Sequence, residues 1–399
     1  MAIKVQRPGI RATVERDATL LLDVAAWLEG LPGPNGRLVS AKLVFAVEEF
    51  MSRLYEELDY ANEARNMRKF ASLYSITEGN STRVRVVVPR VFLDTDHVIV
   101  MEWIEGTKLS VVRGDDETSV AEKLALIKAG IQCTLSQLLD TGVMHADPHA
   151  GNLMKVETRD SVELGYLDFG ILSSVPEGVR DGLVCAVAQL LFNRDVEAVA
   201  SLFGELQLLP IHVVQNPIRR GQLTASLSRI FDDVLRYEDS SSSDLTPIPD
   251  LRFDALLGSL VSILTNFEFQ LPPYFINNAR ALGTMEGIAR GLDPSFSVLE
   301  VVYPYALNRL LCNPSDSQVV DDTVMRLVSD PRTNLIDPKR LTKLLGDAAV
   351  LSKSSKASVL RDIVRTRGGQ RILRRALVQS LQRLPGRRRS RQRQRYFQL

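Results

Sequence analysis

Cysteine is scarce: Cys133, Cys185 and Cys312 stand far apart in 399 residues, with no C-x-x-C pair. That scarcity argues against a disulfide framework or a cysteine zinc site and makes a reducing compartment the default. Long apolar runs are missing too. The longest candidate, around Leu183–Phe192, is broken by Gln189 and falls short of the roughly 18 residues of a bilayer-spanning helix, so no transmembrane helix is expected. No leader precedes Met1-Ala2-Ile3-Lys4-Val5, which reads as the middle of a strand, and any targeting segment would lie upstream. Lysine is absent from the end of the chain. From Arg361 onward there are 13 arginines and the single acid Asp362, so with the whole chain at +1 the first 360 residues are net acidic. The run Arg387-Arg388-Arg389, Arg391, Arg393, Arg395 reads first as a solvated tail and second as a face for anionic lipid or nucleic acid.

What is present is the composition of a folded protein. Hydrophobic residues make up 45% and charged residues 24%, enough to bury a core. The length allows one two-lobed domain or two ordinary ones. Residues 1–7 read as a strand ending at Pro8-Gly9, followed by helices over 11–30 and 41–73. Val84–Val88 and Val98–Trp103 are β-branched or apolar runs that read as strands, and residues 119–140 are helical in period. From about residue 176 the pattern is mostly helical, broken by the polar stretch Asp239–Asp250. Strands therefore come first and helices later, with the join near residue 106. That layout predicts an α+β, bilobal fold with a small strand-rich lobe and a large helical one, and a ligand cleft between them.

The chemistry-bearing segment is His145-Ala146-Asp147-Pro148-His149-Ala150-Gly151-Asn152, an H-x-D-x-x-x-x-N string, followed by Asp168-Phe169-Gly170. Phosphoryl transfer needs positioned metal and neutralised charge more than covalent help. Asp147 suits the acid that receives or orients an acceptor hydroxyl. Asn152 and Asp168 offer the hard oxygens that magnesium prefers, and Gly170 is expected to let the backbone turn sharply. A competing reading has His145, Asp147 and His149 gripping a transition metal from one strand face, which Pro148 disfavours. Ala2-Ile3-Lys4 resembles the strand that sets a lysine on nucleotide phosphates beside a helix glutamate. Met101 and Glu102, in the strand that enters the Gly106 turn, are candidates for the hinge that reads an adenine edge. Only Ile171–Val175 separate Gly170 from Pro176-Glu177, which leaves no room for a regulated activation loop. Together with the 59 positions between Lys4 and Glu63, this argues against a conventional protein kinase.

These strings resemble the UbiB/AarF atypical kinases, and the likeness covers roughly residues 1–315. It rests on Lys4-Val5-Gln6-Arg7-Pro8-Gly9, Glu57-Leu58-Asp59-Tyr60 with Glu63-Ala64, the two segments above, and a set that includes Arg280-Ala281-Leu282, Glu286-Gly287 and Leu292-Asp293-Pro294. The helical-lobe strings look most like the plastid and cyanobacterial branch. The resemblance implies a kinase-like N-lobe over 1–105 with a helical insert, a helical C-lobe over 106–315, and a C-terminal extension over 316–399. By resemblance, Lys4 pairs with Glu63 and binds nucleotide, Glu57 and Asp59 form an E-x-D motif of the insert, Asp147 is the catalytic-loop acid, and Asn152 and Asp168 hold magnesium. The implied cofactors are ATP and Mg2+. The implied setting is prenylquinone metabolism at a chloroplast membrane or plastoglobule, with mitochondrion or cyanobacterial cell as other settings. A membrane surface or lipid-quinone is an expected partner and nucleic acid is not.

The family's K-x-G-Q helix and Ala-rich loop precede the lysine strand, so an incomplete N-lobe is expected, with weak nucleotide binding or none. Two other readings stand beside the leading one. One is a pseudokinase scaffold or lipid-binding regulator; the other is a small-molecule phosphotransferase, which the Asp-Phe-Gly string disfavours.

Overall fold

A computed structural model describes residues 1–33, 36–37, 43–75, 86–109, 117–149, 151–157, 162–236, 249–252, 255–256, 258–260, 267, 269–270, 272–330, 333, 335–351 and 355–382. Ala150, most of the polar stretch within 239–250 and the arginine run after 386 lie outside the described residues. The chain divides into two compact units, residues 1–175 with 273–296, and residues 176–272 with 297–399.

The first unit holds the strands. Ala2–Val5, Val98–Met101 and Val91–Asp94 form a three-stranded antiparallel sheet with Val98–Met101 in the centre. Lys4 sits opposite Ile99 in this register. The two-residue alternation of a strand sends Ile3 and Val5 to solvent and turns Lys4 to the other face. A second, four-stranded sheet runs Val86–Val87, Val162–Tyr166, Leu153–Glu157, Thr107–Lys108. Val143–His145 pairs antiparallel with Leu172–Ser174, so His145 faces Leu172.

The helical pattern over 41–73 resolves into two helices, Leu43–Glu57 and Tyr60–Tyr74. The break falls at Leu58-Asp59 because the Asp59 carboxylate accepts the Asn62 N–H at 2.8 Å and caps the second helix. Periodicity alone hides such a break, since the apolar spacing runs on through it. The helix Glu117–Leu135 continues as a wider π-helical turn, Ser136–Thr141, and stops at Gly142, whose φ of +70° suits a glycine. Ile10–Gly30 and Pro273–Leu292 are the other long helices of this unit.

The second unit is mainly helical, with helices including Glu177–Ala188, Pro217–Val234, Leu299–Cys312, Gln318–Val328, Pro338–Leu351 and Arg367–Gln382. A buried polar network joins several of them. Asp181 accepts from Ser315 Oγ at 2.8 Å and faces Arg309 at 3.4 Å. Asp321, wholly buried, accepts from Asn313 Nδ2 at 2.8 Å and from Arg371.

Candidate nucleotide and phosphoryl-transfer site

One helix assembles the candidate site. Tyr60–Tyr74 presents Glu63, Asn66, Phe70 and Tyr74 at helical spacing along one side. Glu63, 2% exposed, receives Lys4 Nζ on both carboxylate oxygens at 2.7 Å. Asn66 Nδ2 donates to the Phe169 carbonyl at 3.0 Å. Phe70 packs against Phe169, Tyr166 and His145 with ring centroids 5.1, 5.2 and 6.0 Å apart. Tyr74 donates to the Val143 carbonyl at 2.6 Å. The helix thereby fixes the lysine strand, the Asp-Phe-Gly segment and the strand entering the His145–Asn152 loop to one rigid element.

Lys4 also faces Asp168 Oδ1 at 3.7 Å and lies over the Tyr60 ring at 5.1 Å. Burial alone would lower its pKa, but the Glu63 carboxylate, helped by Asp168 and Tyr60, outweighs burial and raises it. Lys4 is therefore a charged group throughout the physiological range.

His145 ties the two loops together. Its Nδ1 accepts the Asp147 N–H at 3.2 Å, so Nε2 carries the proton and donates to the Asp168 carbonyl at 2.6 Å. Burial lowers its pKa, opposed by the backbone acceptors of Asp168 and Leu167. With both ring nitrogens engaged, His145 has none left for a metal, so the transition-metal reading of His145, Asp147 and His149 fails on geometry. His149 instead accepts the Gly151 N–H at 3.0 Å through Nδ1 and sets Nε2 3.6 Å from Asp147.

The sharp turn beside the expected metal position falls on Asp168, whose φ is +63°, and not on Gly170. Aspartate is among the few residues that enter this region without a prohibitive penalty. Glu57 lies against Gly170, its Cγ at ordinary contact distance (3.4 Å) from where a Cβ would stand. Partial burial and then the Asp168 and Asp147 carboxylates raise the Glu57 pKa, which marks a carboxylate-rich corner short of cation.

Asn152 donates Nδ2 to the Asp147 carbonyl at 3.2 Å, which leaves its Oδ1 free to accept. Asp59 turns to its capping role and lies 3.7 Å from Arg65. Met101 ends its strand opposite Ala2, and the Glu102 N–H bonds the Arg90 carbonyl at 2.9 Å. The structure thus brings Lys4, Glu63, Glu57 and Asp168 together and ties Asp147 and Asn152 to them through His145. Asp59 is spent on its cap, and Met101 and Glu102 make their contacts within the strand layer. Among the described residues no group of three or more His, Cys, Asp or Glu side chains is arranged to hold a metal ion. A metal here would rest on Asp168, the Asn152 amide and phosphate oxygens, the mixed set magnesium accepts.

Two participants escaped the sequence. Asn66 grips the Asp-Phe-Gly backbone, and Arg280, from the helix Pro273–Leu292, reaches 3.8 Å from Asp147 Oδ1. Spacing carries no trace of the first. The second sat within a string whose likeness is visible but whose purpose is not.

Residues 1–203, just over half of the chain, match the ABC1 atypical kinase-like domain. The chain belongs to the ABC1 atypical kinase-like family. Residues 245–297 match the UbiB helical domain, and the α+β, kinase-like fold accords with both matches. Among curated proteins, this ABC1 chain is similar to Activity of BC1 Complex Kinase 3, chloroplastic, of Arabidopsis thaliana, with 36% identity over 79% of the chain and 40% of that protein. An aarF domain-containing protein kinase, chloroplastic, of the same plant is 34% identical over 87% of the chain and 44% of its own length. A protein of Synechocystis is 32% identical over 79% of the chain and 42% of its own length. The chain thus spans less than half the length of these relatives. Among the described residues no helix is long and apolar enough to cross a membrane.

Proposed function

We propose that the chain is an ATP-binding atypical kinase or ATPase serving prenylquinone metabolism in a plastid or cyanobacterial membrane system. The observation that carries the chemical half is the placement of Lys4, locked on Glu63, 3.7 Å from Asp168 and on the same frame as Asp147 and Asn152. Kinship with chloroplastic and Synechocystis proteins, and the likeness of the helical strings, support the setting.

In the reaction an acceptor oxygen bonds to the γ-phosphorus, the bond from that phosphorus to the bridging oxygen breaks, and ADP leaves. Asp147 receives the proton that the acceptor gives up. Lys4, held at a fixed angle by Glu63, faces the nucleotide phosphates as a permanent cation. His145 keeps the Asp147 and Asp168 loops in register through its two ring nitrogens. Asn152 Oδ1 and Asp168 fit a magnesium ion, which when bound supplies charge neutralisation on the phosphate oxygens. Met101 and the residues just after it would meet the adenine edge.

The expected weak affinity makes ligand-observed NMR the suitable measurement. Mg-ATP should bind the wild-type chain, Lys4→Met should weaken binding about tenfold or more, and Asp168→Asn should remove its dependence on magnesium. Binding that is equal in all three proteins, or absent from the wild type, overturns the reading. Absence would favour the second reading, a nucleotide-free scaffold or lipid-binding regulator. That alternative draws support from Lys4 and Arg280 being already engaged by the carboxylates of the site.

A further inference from the structure

The catalytic loop lacks a strong cation of its own. Between Asp147 and Asn152 stand Pro148, His149, Ala150 and Gly151, with no lysine or arginine. Lys4 serves the Asp168 side of the site, and its ammonium is committed to Glu63. A phosphoryl group in flight spreads negative charge over three oxygens, and that charge needs a donor near the acceptor as well as near the leaving group.

Among the described residues, two basic side chains face the Asp147 carboxylate, His149 at 3.6 Å and Arg280 at 3.8 Å. Only the arginine is charged at every relevant pH. Its helix is seated firmly. Asn277 and Asn278 are buried, and Asn278 Nδ2 donates to the Tyr274 carbonyl at 2.6 Å and meets Met144 Sδ at 3.1 Å, on the strand that leads into the catalytic loop. The arginine itself is not seated. Its side chain is 66% exposed and its pair with Asp147 is long. A pair so exposed and so long adds little to stability, so holding the fold together does not account for it. A firm backbone carrying a loose guanidinium beside the candidate catalytic acid is the arrangement of a side chain that changes partner when substrate arrives.

We propose that Arg280, supplied by the segment matching the UbiB helical domain, is a further catalytic residue that leaves Asp147 and binds the γ-phosphoryl oxygens of the nucleotide. The inference rests on the nucleotide reading above. As the acceptor oxygen bonds to phosphorus and the bridging oxygen departs with ADP, Arg280 donates to the equatorial oxygens. Its withdrawal also frees Asp147 to take the acceptor's proton. Arginine suits this because its fork of N–H donors matches phosphate geometry.

The test compares Mg-ATP with Mg-ADP, since ADP lacks the group that Arg280 would touch. Affinities for both are measured by ligand-observed NMR on wild type, Arg280→Ala and Arg280→Lys, with thermal unfolding as the check on folding. Expected is a loss of about tenfold in ATP affinity for Arg280→Ala with ADP affinity unchanged, and a partial loss for Arg280→Lys, which keeps the charge without the fork. If ATP and ADP weaken together, or neither does, Arg280 does not touch the γ-phosphoryl group and the inference is overturned. Should Arg280→Ala fail to fold, the ATP-to-ADP ratio of Arg280→Lys decides. A wild-type chain that binds neither nucleotide overturns the nucleotide reading itself and the inference with it, whereas intact wild-type binding with an unchanged ratio overturns the inference alone.

Discussion

Asp168 and Asp321 are both aspartates facing a basic side chain, yet their surroundings are opposites. Asp321 is fully buried and accepts from Arg371 and from Asn313 Nδ2, while Arg371 also bonds the Asp316 carbonyl at 3.0 Å and Asn313 bonds the Ser317 carbonyl at 2.9 Å. Asp168 is 56% exposed, sits at φ +63°, and meets Lys4 at 3.7 Å. The first is a closed network, its acceptors filled by its own chain. The second is an open one, with oxygens turned to solvent and a backbone in a sparsely populated region, where strain is usually kept for a purpose. Charged clusters of similar composition thus separate into those closed by their own chain and those left open to solvent, and what separates them is satisfaction, not charge.

The comparison breaks most readily at Asp321. Asp321→Ala strands Arg371 and Asn313 and should destabilise the chain by about 3 kcal/mol, read from urea unfolding. Asp168→Asn should change stability by less than about 0.5 kcal/mol. Equal losses in the two variants would erase the distinction.

Glu63→Gln should cost about 2 kcal/mol at neutral pH, because Lys4 loses its buried partner. The sign with pH is definite. The Lys4 pKa is raised in the folded state, so its stabilisation is whole below the unfolded value near 10.5 and is lost as pH climbs through the higher folded value. The gap between wild type and variant should therefore narrow above about pH 10.5. A gap that stays constant there would take Lys4 out of the pair.

The effect expected at His145 shows only in acid. Burial lowers its pKa, so below about pH 6.5 the unfolded chain binds a proton that the folded chain does not. Stability should fall as pH drops beneath that value, by about 1.4 kcal/mol per pH unit at most. His145→Gln should flatten this slope in unfolding measured between pH 7.5 and 5.5. An unchanged slope would mean that other groups set the acid limit.

The sequence made the His-x-Asp and Asp-Phe-Gly loops legible because their motifs depend on fixed short spacings. His145 bonds to both Asp147 and Asp168, and Asn152 bonds to Asp147, while the Lys4–Glu63 pair spans 59 positions with the helices Ile10–Gly30 and Leu43–Glu57 between. The remainder depended on contacts that no local period encodes. Asn66 and the Phe169 carbonyl are 103 positions apart, and Arg309 and Asp181 are 128 apart. The capping turn at Asp59 was written in the sequence but masked by an apolar rhythm that ran straight across it. The strained residue was misplaced for a related reason: glycine is the usual occupant of positive φ, and Gly170 drew attention from the aspartate two positions before it.

One consequence follows from the way Tyr60–Tyr74 carries its contacts. The grips at Glu63, Asn66 and Tyr74 have lengths of 2.7, 3.0 and 2.6 Å. All three leave from one helix, so the lysine strand, the Asp-Phe-Gly segment and the strand that precedes Asp147 take their positions from a single rod. A substitution that moves that rod should therefore be felt in three distant stretches of sequence at once.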